Sequence, residues 1–410
     1  MMARSKAAPR SPVSRSARLR WSTGSELLRL VHSEPGITRT EASDRLSLAS
    51  GATTELIERL RGARLLGEHP APRSGPGRPT TSLHAHPLGP LVIVVDLRTA
   101  GWRVLLGDLA GETSEVEAGF YGDEQPAQFL PRIARSVTRA AEQSRGRARA
   151  VAVVVAGTVT GSRLLQFATR GWSEADLGML TEGLPASSPL RLLAGNDATL
   201  GGLAEARTGA ARGARVALHI LVAVGVGGVL LVDEQPMTGA RGAGGEYGHL
   251  PFGDPELVCP CGARGCWDLM VDGRALARHR GDPPPDDPVA YATRLLGDLT
   301  RGVISDPAAR HAIELVAHDL GAGIAGLVNL HDPELITIAG VAPLIRHAAP
   351  EAFDRGYQNG LMTFHRRETP AILDGLHGDE GPVLGALSLG VDEITSPTAL
   401  ARWGELTSGG

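Results

Sequence analysis

The 410-residue chain is predicted to fold as an α/β body of two lobes preceded by a small basic head. Two observations lead there. From about Leu91 apolar strand-like runs alternate with helical patterns, and the same order of elements starts again near Arg215. Two lobes that each open with strands around a turn imply a duplicated fold with a ligand cleft at the junction. The charge also divides. Residues 1–80 hold 14 Lys or Arg against 7 Asp or Glu, a net +7; the whole chain is −4, so the other 330 residues carry −11. A basic module on an acidic body suits contact with an anion by the first and a different task for the second.

The head is read element by element. Residues 1–17 are Ser, Arg, Pro and Ala without periodicity and are expected to form a disordered basic tail. Leu27, Leu28, Leu30 and Val31 make one helical face that ends at "SEPG". Thr38 with Glu41 three residues on is a capping-box pattern for a second helix, with Ala42 and Leu46 inward. Leu56, Ile57 and Leu60 mark a third. "LLGEHPAPRSGPGRPTTSLHAHP" reads as strand, Pro/Gly loop and return strand. Three helices and a hairpin over 18–85 match the plan of a winged helix-turn-helix, whose third helix enters the DNA major groove. A helical oligomerisation module would share the pattern. Ser50, Thr53, Thr54 and Arg59 are the candidate DNA contacts of the third helix, and Arg73 and Arg78 those of the hairpin arm. An arginine arm stiffened by Pro and Gly suits a narrow A·T minor groove, while a solvated linker has the same composition.

In the body, "LVIVVDL", "GWRVLLGDL" and "ETSEVEA" are read as strands, 126–144 as a helix, "ARAVAVVVAG" and "LRLLAGND" as strands, and "ATLGGLAEARTG" as a helix. "RVALHILVAVGVGGVLLVD" gives two strands around "GVGG", helices fill much of 287–331, "ELITIAG" is a strand, and "PVLGALSLGVDE" is a closing helix. Residues 394–410 are expected to be a tail. No run of about 18 apolar residues stands out and the basic N-terminus lacks an apolar core, so neither a membrane span nor a signal peptide is expected. Three cysteines make no full disulfide set, which fits a reducing cytoplasm.

All three cysteines lie within "HLPFGDPELVCPCGARGC". His249, Cys259, Cys261 and Cys266 form a Cys3His set, and soft ligands in tetrahedral number select zinc. Four protein ligands leave no open position, so one structural ion per chain is expected.

At these residues the chain resembles a known family. "GGEYGHLPF" followed by "CPCGARGCWD", "AGNDATLGGLAEARTG" and "NLHDPELITIAG" stand in the order found in the ROK family of repressors, unassigned reading frames and sugar kinases. The resemblance spans about 86–393 and implies an actin-like, ribonuclease-H-like two-lobed body with a sugar site. The basic head is similar to that of the repressor branch. By the same resemblance Asn196, Asp197, Glu246 and His249 would meet a sugar, Asp197 being the general base in kinases. It could equally be a plain helix N-cap. Asp268 stands where the family usually has glutamate, one methylene longer. Arg170 lies in a loop that gives kinases an asparagine, and a guanidinium there would favour a sugar phosphate. Kinases read Asp-x-Gly-Gly-Thr where this chain has "DLRTAGW", so Arg98, Thr99 and Ala100 replace the residues that let the backbone approach ATP. "GVGG" keeps part of a second phosphate loop, or is a hairpin turn.

The resulting expectation is a sugar-controlled regulator, most simply a repressor, that binds double-stranded operator DNA as a homo-oligomer and catalyses nothing. The competing expectation is an ATP-dependent sugar kinase with a DNA-binding extension.

Overall fold

In a computed structural model the described residues are 14–71, 81–99, 101–167, 170–172, 174–185, 190–303 and 306–408. Helices α1 (Arg15–Ser33), α2 (Arg39–Arg45) and α3 (Ser50–Gly62) precede the antiparallel strands β1 (Leu66–Pro70) and β2 (Thr81–Ala85). The capping box at α2 forms as its sequence requires. The Thr38 hydroxyl accepts from the Glu41 N–H, and the Glu41 carboxylate accepts from the Thr38 N–H at 2.9 Å. Trp21, Leu27, Leu28 and Val31 of α1 bury against Leu56, Ile57 and Leu60 of α3 and Leu83 of β2.

The first lobe comprises β3 (Leu91–Leu97), β4 (Gly101–Gly107), β5 (Thr113–Phe120), α4 (Pro126–Gln143), β6 (Ala148–Val155), the short strands β7 (Thr158–Thr160), β8 (Arg163–Gln166) and β9 (Ala175–Asp176), then β10 (Arg191–Asn196) and α5 (Asp197–Thr208). The second comprises β11 (Val216–Ala223), β12 (Gly225–Val232), β13 (Gln235–Pro236), α6 (Gly273–Arg280), α7 (Pro288–Thr300), α8 (Pro307–His331), β14 (Leu335–Gly340), α9 (Ala342–Ala348), α10 (Pro350–Gly360), α11 (Thr363–Arg367) and β15 (Ala371–Asp374). Helices α12 (Gly381–Ile394) and α13 (Pro397–Ser408) return to the first lobe.

The duplication is visible in the sheets. Their orders are β10-β6-β3-β4-β5 and β15-β14-β11-β12-β13. In each, the central strand has two successive antiparallel neighbours on one side and two parallel ones on the other. Strands β3 and β6 are almost wholly buried and Val-rich, as strands covered on both faces must be. Helices α5 and α12 pack together, α12 against β3 and β6 and α5 against β11 and β12. This is the actin-like arrangement.

Three expectations need correction. "GVGG" is not a turn: the chain reverses at Val224, and Gly225 through Gly228 are in β12. A Cβ on Gly228 would press on the Tyr247 ring at 2.7 Å, so packing calls for that glycine. Residues 394–410 are no tail either. They contain α13, which buries Leu400, Ala401 and Trp403 against the head. At the other end α1 begins at Arg15, capped by Ser14; residues 1–13 lie outside the described set. Helix α8 has the length and composition of a membrane span, yet it is a core helix. Ile313, Val316, Leu320, Ile324 and Val328 are buried in the second lobe, and α10 packs along it.

Head and body share one core. Trp21 and Leu27 belong to the same apolar cluster as Val92, Val94, Ala152, Leu387 and Trp403. The Trp403 indole donates to the Ala63 carbonyl at 2.7 Å, and Arg149 lies 4.7 Å above its ring. His32 of α1 is buried between the Leu109 carbonyl at 3.1 Å and the Ser388 hydroxyl at 3.2 Å, and burial lowers its pKa toward the neutral ring. Trp403→Ala is expected to cost about 3–5 kcal/mol by emptying this seam. Urea unfolding of the two proteins measures it, and a loss below about 1 kcal/mol would mean that α13 is not a structural helix.

Candidate functional site

The strand ends build a cleft of about 480 Å³ between the lobes. In open α/β sheets, ligand crevices form at the carboxyl ends of strands. Here β6 leads into Gly157 and Thr158, β10 ends in Asn196, and β11 turns at Val224. Asn196 is the N-cap of α5. Its Oδ1 accepts from the Ala198 and Thr199 N–H groups at 3.0 and 3.2 Å, and its Nδ2 donates to the Gly157 carbonyl at 3.2 Å. Asp197 opens the helix and lines the cleft. Burial pushes its carboxyl up to about 6; the Ala198 N–H and Arg98 pull the other way, and Asp96 adds to the rise.

Glu246 accepts from the Thr158 hydroxyl at 2.8 Å, and its other oxygen lies 3.9 Å from His249 Nε2. His249 Nδ1 points the opposite way, 3.8 Å from Cys259 Sγ. The ring therefore offers one edge to the carboxylate in the cleft and the other to the sulfurs. Cys261 and Cys266 Sγ are 3.7 Å apart, and one donor atom from each of the four residues falls within 4.8 Å of the others. Tetrahedral zinc with bonds of about 2.3 Å to sulfur needs S···S edges of about 3.8 Å. The cluster fits one metal ion. The loop that carries it is tied by Cys259 N–H to the Ala263 carbonyl at 2.8 Å, with Gly262 and Gly265 at positive φ.

Asp268 lines the cleft, but both its oxygens are engaged. Oδ1 accepts from the Val226 N–H and Oδ2 pairs with Arg274 at 3.2 Å. Gly225, at φ +124°, has no room for a Cβ beside that carboxylate. Asp268 thus holds the β11–β12 turn. Arg170 is not in the cleft. It lies 5.3 Å from the Tyr121 ring and 5.1 Å from Trp172 and donates to the Gly122 carbonyl. Two aromatic faces attract a guanidinium strongly enough to hold it there. Three cleft residues escape a sequence reading: Thr158, Gln166 and Arg274. Thr158 could be suspected from its place just after a buried strand, whereas Gln166 and Arg274 carry no local signal.

Beside the cleft stands the loop with Arg98. Its guanidinium closes on buried Asp96 at 2.9 Å and donates to the Asp379 carbonyl at 2.7 Å. Arg103 also binds Asp96, at 2.9 Å, and Glu380 at 3.1 Å. Asp96 is thereby covered by two guanidinium groups that also reach the segment leading into α12.

On the head, Ser50 and Thr54 are exposed on α3, along with Glu55, Glu58 and Arg61. Thr53 is not available to DNA: it is buried, and its hydroxyl bonds to Ala49 and Ser43 between the two helices. Arg59 is a tie to α1, donating to the Arg20 carbonyl at 2.8 Å and pairing with Glu55 at 3.3 Å. Arg73 and Arg78 lie outside the described residues.

The ROK family model matches residues 92–393, well over half the chain. The chain belongs to the ROK family. ROK relatives fall on both sides of the kinase–repressor divide. A xylose repressor of Caldicellulosiruptor bescii is 24% identical over 324 residues, covering 75% of this chain and 79% of that protein. A glucokinase of Streptomyces coelicolor is 26% identical over 224 residues, covering 51% and 70%. Among solved structures, a ROK family transcriptional regulator, a homologue of the E. coli MLC protein, superposes with a TM-score of 0.73 at 20% identity over 94% of this chain and 99% of that one. A ROK glucokinase from Streptomyces griseus bound to glucose and AMPPNP gives 0.60 at 23% identity over 73% and 98%.

The protein is expected to contain about one tightly held metal ion per chain. Metal analysis of the wild type and of Cys261→Ser checks this, and undiminished metal in the variant would dismantle the cluster.

Proposed function

We propose that this ROK protein is a DNA-binding transcriptional regulator, in action a repressor, governed by a sugar bound between the lobes. The observation that carries the reading is the single core shared by head and first lobe. A change of lobe closure at the cleft reaches α1 through α12 and α13 without a flexible joint. In a homo-oligomer this would re-aim the paired heads, and half-site spacing on the operator would no longer match. The full-length likeness to a transcriptional regulator and the match to a xylose repressor support the same branch.

The ligand is a neutral sugar in preference to a sugar phosphate. With Arg170 turned onto aromatic rings, Arg274 is the one guanidinium lining the cleft among the described residues, and Asp268 and Asp272 already pair with it. Asp197 and Glu246 add acceptors suited to hydroxyl groups. Zinc is the metal the Cys3His donor set favours, and its role is to fix the His249 ring against Glu246. Reduced thiols at such a site fit a cytoplasmic protein.

A sugar kinase is the second reading, favoured by one observation: a half-buried Asp197 with a pKa near 6 is well placed to act as a base toward a sugar hydroxyl. Against it stands Arg98, which takes the place of a phosphate-loop glycine and closes its guanidinium on Asp96. The protein is therefore expected not to phosphorylate hexoses.

Gel shifts on the protein's own upstream DNA test the main reading, with sugars added and ATP consumption followed in parallel. The wild type should bind and be released by one sugar without turnover. Asp197→Asn should bind the DNA equally well and resist release. The wild-type response should also fade as pH falls through about 6, because protonation of Asp197 removes an acceptor. Release of Asp197→Asn at the wild-type sugar concentration, or ATP-dependent phosphorylation of the sugar, would refute the reading.

A further inference from the structure

The three sulfurs of the Cys3His loop are unequally placed. Cys259 and Cys266 are buried, and Cys261 is exposed. A small hairpin sets this difference. Val258 bridges to Arg264, the Cys259 N–H donates to the Ala263 carbonyl at 2.8 Å, and the Gly262 N–H donates back to the Cys259 carbonyl at 2.9 Å. Residues 260–264 are therefore an exposed tip, while Cys266 lies beyond Gly265 on the buried return leg. The two sulfurs still meet across the loop, with Cys261 Sγ 3.7 Å from Cys266 Sγ. Cys261 also lines the cleft, on the same wall system as Glu246 and Asp197, so small solutes in the cleft reach its sulfur. The tip has room to shift. Gly262 and Gly265 stand between the two cysteines, both at positive φ, and a Cβ on Gly262 would meet nothing within 4 Å.

We propose that Cys261 and Cys266 are an oxidative modification site for hydroperoxides, with Cys261 the attacking sulfur and Cys266 the resolving one. An accessible thiolate beside a second cysteine is the arrangement that such sensors share. In the first step the Cys261 sulfur attacks one peroxide oxygen. An S–O bond forms, the O–O bond breaks, and hydroxide leaves. In the second step the Cys266 sulfur attacks the Cys261 sulfur. An S–S bond forms, the S–O bond breaks, and a second hydroxide leaves. Two thiolates lose two electrons in all, and the peroxide gains them. The sulfurs must close from 3.7 Å to about 2.05 Å, which the glycine-flanked tip permits. Only Cys259 and His249 then remain as ligands, too few to hold a metal ion of the kind the four residues fit. His249 loses the partner on its Nδ1 edge, and nothing keeps its Nε2 beside Glu246. Oxidation would thus blunt the response to sugar. That last consequence rests on the sugar-regulator reading, whereas the disulfide and the metal loss do not.

The test uses the zinc-loaded, full-length protein and hydrogen peroxide. A chromophoric chelator follows zinc release, and peptide mass spectrometry maps the product. Zinc should leave as a disulfide between Cys261 and Cys266 forms, and dithiothreitol with added zinc should restore the starting state. Cys261→His keeps four ligands as a Cys2His2 set and should release zinc about tenfold more slowly or less. If that variant fails to load zinc, the disulfide map of the wild type decides alone. The proposal is overturned if the wild type keeps its zinc at peroxide levels that fully oxidise free glutathione. It is equally overturned if Cys261 is absent from the disulfide, or if zinc-loaded Cys261→His loses its metal at the wild-type rate. Neither readout involves DNA or sugar, so failure of the regulator reading would leave this result untouched.

Discussion

Burial of α1 and α13 against the first lobe is the constraint from which the rest of the molecule follows. A winged-helix head on a flexible linker would sense little of a body it merely trails. Here the link between β2 and β3 is only residues 86–90, and the apolar cluster does not stop at it. Leu60 of the head, Leu400 of α13, Leu387 of α12 and Val94 of β3 belong to one packed interior. Such interiors are dense and transmit displacement. His32 adds direction to this seam, since its ring is held from both sides by the Leu109 carbonyl and the Ser388 hydroxyl.

The same return of the chain joins the seam to the cleft. Helix α12 packs on α5, whose first residue is Asp197, and the segment leading into α12 is pinned by Arg98 and Arg103 through Asp379 and Glu380. Glu205 of α5 reinforces the crossing by accepting from the Leu376 and His377 N–H groups at 3.1 and 3.0 Å. A change at the cleft-facing end of α5 thus meets a scaffold with few loose parts before it reaches the head. Two guanidiniums on one buried carboxylate make the Asp96 position an internal ion-pair network, where glycines would leave an open backbone cradle.

Most of the body was legible in the sequence because its central strands are continuous Val/Ile runs and its helices carry recognisable caps. The Cys3His cluster was legible because three sulfurs within eight residues leave little freedom. What escaped did so for local reasons. Helix α13 carries only a few apolar anchors in a Gly- and Ser-containing end, so its burial depends on a partner surface far away in sequence. Thr53 looks like any polar helix residue until Ser43 of the neighbouring helix takes its hydroxyl. Arg170 and Arg59 show that an arginine's charge is visible in sequence and its partner is not: one went to two aromatic rings, the other to a backbone carbonyl. The glycines of β12 have the composition of a phosphate loop, and packing against Tyr247 and Asp268 accounts for them equally well.

Head and first lobe are expected to behave as one body. Native-state hydrogen exchange measures this most directly, by comparing the opening free energies of amides in α1 and α3 with those in β3 and β6. The most protected amides of both sets are expected to open together, at the free energy of unfolding the first lobe. If α1 and α3 open at a markedly lower free energy while β3 and β6 stay protected, the head is an independent module, and coupling through the shared core is wrong.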